Sequence, residues 1–126
     1  NSVGFPGILK GALLVRSRAI TDNMAIAAAK AVADFAEREG ITPERIMPTM
    51  DETEVFAEEA AAVAMQAVED GVARLEMSRD QVYKQTLKDI KETREIIDML
   101  MEKEFIKTPD TAMLDKALEK AIDQVK

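Results

Sequence analysis

Carboxylates, lysines, hydroxyls and one tyrosine are the side chains available for acid–base or nucleophilic chemistry, because the 126 residues include no histidine and no cysteine. Those two absences exclude Ser-His-Asp triads, imidazole catalysis, thiolate nucleophiles and the common zinc sites. Glu58 with Glu59, and Glu92 with Glu95, are candidate carboxylate pairs, since helical bundles hold metals with inward glutamates. Lysines interleave with them and no histidine joins them, so both pairs read as solvated helix faces and no metal site is assigned. Tyr83 is a candidate proton donor, but in the first turn of an amphipathic helix it reads as a half-buried anchor with its hydroxyl in water. Gly4, Gly7 and Gly11 follow a GxxGxxxG spacing around Pro6 rather than the GxGxxG of a strand-to-helix phosphate turn. No complete catalytic constellation is present, and no catalytic residue is assigned.

Composition bounds what can surround these residues. A chain of 13.9 kDa fits one domain with a modest core, and 47% apolar against 33% charged residues is the balance of a folding protein. The net charge of -7 and the scatter of the 17 basic residues argue against nucleic acid as a partner. Met24 to Ala36 is the longest weakly charged stretch, and Lys30 and Asp34 break it, so no membrane span is expected. The start lacks the basic and apolar regions of a signal peptide, and the missing cysteines suit a reducing cytoplasm, which is the expected location. The chain also lacks an initiator methionine, from which a truncated beginning is expected.

The elements that must position any site are helical. Ser2 to Gly7 reads as the end of an extended segment entering a turn, and Ile8 to Val15 as a short buried helix. Thr21 and Asp22 cap a helix running to Glu39, with Met24, Ala28, Ala31, Val32 and Phe35 inward and Gly40 as its stop. Ile41 to Met50 is connection. A helix from Glu52 to Asp70 turns Phe56, Ala60, Val63, Ala67 and Val68 inward, with Gly71 as an αL cap. Ser78-Arg79-Asp80-Gln81 is a capping box opening a helix to about Phe105, with Val82, Thr86, Ile90, Ile97 and Leu100 or Met101 inward and i,i+4 ion pairs such as Asp80 with Lys84 outward. Thr108-Pro109 starts a last helix with a stripe of Leu114, Ala117, Leu118, Ala121, Ile122 and Val125. The eight methionines read as core gap-fillers and connection residues.

Several ordered landmarks carry a family resemblance. Asn1-Ser2-Val3-Gly4-Phe5-Pro6-Gly7-Ile8 resembles the malic-enzyme segment in which an asparagine pair precedes a strand and a Phe-Pro-Gly turn into a buried helix. Ile20-Thr21-Asp22-Asn23-Met24 with Ala27-Ala28-Ala29-Lys30-Ala31, then Ile46-Met47-Pro48 and Val68 to Arg74, resemble later landmarks of the same family. The resemblance implies two parts. Residues 1–76 would be the C-terminal part of a malic-enzyme NAD(P)-binding domain and 77–126 a C-terminal helical extension. The implied fold is all-α as it stands, a helical fragment of an α/β, Rossmann-like nucleotide-binding domain with a two-helix extension.

The implied activity of the intact protein is NAD- or NADP-dependent oxidative decarboxylation of malate to pyruvate and carbon dioxide, assisted by a divalent metal such as Mg or Mn. Asn1 falls on the second asparagine of the family's pair and would be substrate-binding, its amide suiting a carboxylate. The first asparagine is missing, and the reading of Asn1 as a turn-capping residue stays open. The base, acid, metal ligands and dinucleotide turn of the family lie upstream, so this piece alone is expected to be inactive and to bind no cofactor, and Phe5, Pro6 and Gly7 would act as scaffold. Its expected partners are the remainder of the enzyme and, through bare helical faces, a second copy. The alternative is a non-enzymatic helical interaction or dimerisation module.

Overall fold

The computed structural model describes residues 1–107 and 110–125. Among them are five helices: α1 (Gly4–Leu14), α2 (Asp22–Glu39), α3 (Thr53–Glu69), α4 (Arg79–Glu102) and α5 (Thr111–Val125), with one isolated bridge between Thr42 and Arg45 and no strand. Two compact units divide the chain, residues 1–91 and residues 92–126. The first unit extends beyond residue 76 and takes in the first half of α4.

The opening segment is helical, which corrects its reading as a strand end and turn. Pro6 falls in the first turn, where a missing N–H removes no intrahelical bond, and Phe5 N–H already donates to the Asn1 carbonyl at 3.1 Å. Gly4, Gly7 and Gly11 recur at helical spacing, so the residues read as turn punctuation form one small-residue face. That face lies on α3. The end of α1 follows the Schellman pattern without a glycine: Arg16 takes φ 50°, Ser17 N–H donates to Ala12 O at 2.8 Å and Arg16 N–H to Leu13 O at 3.1 Å.

Helix α2 follows its sequence pattern closely. The Thr21 hydroxyl accepts from Met24 N–H at 3.1 Å, and Met24 Sδ accepts from Thr21 N–H at 3.5 Å. The same hydroxyl donates to Asp70 at the end of α3, where the Asn23 and Gln66 amides also converge. These donors, Thr21 foremost, hold the Asp70 carboxyl below its usual range. Thr21→Ala is expected to cost about 1–2 kcal/mol, a cap plus a tie between helices, read as a fall in the urea midpoint with unchanged slope.

Two apolar clusters form the core of the first unit. Ala12, Val15, Met24, Ala28, Ala60, Ala61, Val63, Ala64, Ala67 and Val82 make one; Val3, Val32, Phe35, Val55 and Phe56, with Ile90 at the edge, make the other. Alanine and glycine at these crossings bring α1 and α2 close to α3, so small residues do the packing that larger ones do elsewhere. Gly71 at φ 69° ends α3 as expected, and the segment after it is tied to α1 by Arg74 and Leu75 N–H donating to Val15 O. Lys10 of α1 pairs with Asp89 of α4. Val68, read as inward, is 37% exposed because it sits in the last turn, beyond the α1 crossing.

The Ser78 capping box is present, with Gln81 N–H donating to the Ser78 hydroxyl at 3.2 Å and Ser78 N–H donating to the Gln81 side-chain Oε1 at 2.8 Å. Val82 and Thr86 are buried, Ile97 is exposed, and Asp80 pairs with Lys84 at 2.8 Å. Met24 fills the core; Met65 and Met77 pack at its edge; Met47, Met50, Met99 and Met113 are exposed, so the gap-filling reading holds for only part of the set. In the second unit the expected stripe of α5 is wholly exposed, with Leu118 at 61% and Val125 at 89%. Thr108 and Pro109, read as its start, lie outside the described residues.

Candidate functional site

A cleft of about 420 Å³ opens between α1, α2 and α3 and the loop after α2. Ile8, alanines of α2, Val32, Ile41, Ile46 and Met47 make its walls apolar, and Asn1, Glu37 and Glu59 supply its polar atoms. Asn1 stands at the start of α1, exposed, its carbonyl fixed by Phe5 N–H. No side chain caps this helix, so the turn-capping role left open for Asn1 is met by its backbone rather than its amide.

Glu59 was read as part of a solvated face, and the structure corrects that reading. Its relative exposure is 0%, and neither carboxyl oxygen has a hydrogen-bond partner. Burial pushes the carboxyl up to about 8, against the opposing pull of the Gly7 backbone N–H. Its side chain occupies the space a Cβ at Gly7 would fill and touches the position of one at Gly4. The neighbouring Glu58 does point outward, to Arg38 at 2.6 Å, and Glu92 and Glu95 are exposed. A signal for Glu59 was present in the sequence: Val55, Glu59 and Val63 recur at four-residue spacing on the inward face, and all three have zero exposure.

Tyr83 is half-buried against the first core cluster and borders a shallow cleft with Phe35, Arg38 and Glu58, as an anchor would. Of the Phe5-Pro6-Gly7 segment, Phe5 is 60% exposed and Gly7 is buried against Glu59. Among the described residues no three carboxylates gather where a metal ion could bind, so the residues present do not fit the divalent metal. No described helix is long and apolar enough to cross a membrane. The cleft offers an amide, a sealed carboxyl and apolar walls. Those groups can bind and orient.

Comparison with known proteins decides the family. Residues 1–70, more than half of the chain, match the family described as "Malic enzyme, NAD binding domain". The chain belongs to the malic-enzyme NAD-binding-domain family. It is 36% identical over 88 residues to the bifunctional malic/malolactic enzyme of Bacillus subtilis, covering 70% of this chain and 22% of that protein. It is 41% identical over 81 residues to the mitochondrial NAD-dependent malic enzyme of Saccharomyces cerevisiae, covering 63% and 12% respectively. The crystal structure of Entamoeba histolytica malic enzyme aligns with a TM-score of 0.92 and 53% identity over 98% of this chain and 26% of that one. The chain thus spans about a quarter or less of the length of these relatives, and the Entamoeba alignment includes the C-terminal helices, which the sequence resemblance left out.

Proposed function

We propose that this malic-enzyme chain is the C-terminal part of an NAD(P)-binding domain with its helical extension. The whole protein would carry out NAD- or NADP-dependent oxidative decarboxylation of malate to pyruvate and carbon dioxide. The observation that carries this reading is the family match over residues 1–70, which begins at Asn1 on the rim of the cleft. In the whole protein a nicotinamide would supply hydride acceptance and a divalent metal would supply Lewis acidity, both held by residues other than these. The part of these 126 residues is binding. The Asn1 amide donates to a substrate carboxylate without adding charge, and the first turn of α1 holds it in place.

The test uses the protein made from its complete gene, assayed for malate-dependent NAD(P) reduction with added Mg or Mn. Malate-dependent reduction supports the reading, and an inert product overturns it. In that protein Asn1→Ala is expected to lower kcat/KM for malate by roughly 10- to 100-fold, the worth of a hydrogen bond to a charged group. A cytoplasmic location belongs to the same proposal, and fractionation checks it. A second reading, a helical interaction or dimerisation module, is favoured by the exposed α5 stripe of Leu114, Leu118 and Ile122 and by bare Phe5, Leu9, Leu13 and Ile26 in the first unit. Concentration-dependent association by sedimentation tests it, and it is compatible with a homo-oligomeric enzyme.

A further inference from the structure

Glu59 has no role in the function just described, yet it sits against the two glycines that start α1. Its carboxyl lies beneath Gly4 and Gly7, and it lines the same cleft as Asn1. Asn1 is joined to this turn by the bond from Phe5 N–H to its carbonyl. A group that sets the separation of the Gly4 to Gly7 turn from α3 therefore sets where Asn1 stands. We infer that Glu59 is a positioning residue for Asn1, holding the first turn of α1 on α3 so that the amide faces the substrate. The inference rests on the reading of Asn1 as a malate contact.

The physical cause is the cost of charge in a sealed site. A neutral carboxyl is tolerated there, whereas an unpartnered carboxylate must recruit water or a cation. Few neighbours can relieve it. Lys10 of α1 is engaged by Asp89 of α4, Arg38 of α2 is engaged by Glu58 of α3, and Glu37 of α2, on the same cleft, is itself acidic. The cleft side is the open route for water, so hydration of Glu59 lifts the turn that carries Asn1. Because burial holds the proton on Glu59 up to about pH 8, the displacement begins above neutrality.

The experiment measures KM and kcat for malate in the protein made from its complete gene, from about pH 6.5 to 9.5. In the wild type, KM is expected to rise about tenfold between roughly pH 7 and 9, with kcat changing less. Glu59→Gln keeps the shape and cannot ionise, so its KM is expected to stay within about twofold across that range. Glu59→Met is read in the same way and covers the case in which Gln does not fold. A merely structural role would lower the melting temperature of these variants while leaving the pH profile of KM as in the wild type, and that result overturns the inference. An Asn1→Ala protein with unchanged KM instead overturns the reading of Asn1 itself, whatever Glu59 does.

Discussion

Gly11→Ala is expected to destabilise the first unit by about 2–3 kcal/mol, although alanine is the better helix former by about 1 kcal/mol. A Cβ built on Gly11 falls on the Ala60 carbonyl and lies 2.9 Å from Val63 Cβ and 3.0 Å from Val63 Cγ1. The carbonyl belongs to the α3 backbone and cannot swing away, so α1 must move off α3 along much of its length. Overpacking outweighs propensity for that reason. Gly4→Ala is the internal control. Its Cβ would approach Glu59 Oε1 at 3.7 Å, an ordinary contact, so it is expected to be neutral or stabilising by a few tenths of a kcal/mol. Urea unfolding of both variants checks the pair; equal midpoints would remove the close α1 and α3 crossing on which the cleft depends.

The second large effect is a stability that falls as pH rises, through Glu59. The ordinary value of its carboxyl is 4.5 and burial raises it to about 8 in the folded chain. Between those values the unfolded chain has released this proton and the folded chain still holds it. The stability from this group is therefore full below about 4.5 and is lost progressively up to about pH 8, at a limit near 1.4 kcal/mol per pH unit. Asp70 and Asp89 act in the opposite sense. Thr21 and Lys10 respectively are the first causes of their lowered values, so their contribution is present above the unfolded range and lost on acidification. A bell-shaped stability profile is expected, with Glu59 shaping its alkaline side. Glu59→Gln should flatten that side, leaving the midpoint in urea nearly constant from about pH 5 to 8 where the wild type loses roughly 3 kcal/mol. A wild-type midpoint without that decline would show Glu59 to be solvated.

The helices were legible wherever caps and periodicity agreed. Thr21, Gly40, Ser78 with Gln81, and Gly71 each marked an end where the structure has one, because cap chemistry is local and needs only the backbone beside it. The start of α1 was misread for a related reason. Glycine and proline were weighed as turn formers, and what makes them a helix face is the Glu59, Ala60 and Val63 side of α3, far along the chain.

By itself the sequence determined the family, the helical class and the absence of imidazole and thiol chemistry. The spacing of Val55, Glu59 and Val63 put Glu59 on the inward face, but only tertiary structure decided that its carboxyl is sealed while that of Glu58 is not. The two are adjacent on one helix and identical in chemistry. Glu58 meets Arg38 at the surface, whereas Glu59 is closed over by glycines of α1. The charge a carboxyl carries depends on the solvent left around it, and that is fixed only when distant segments pack.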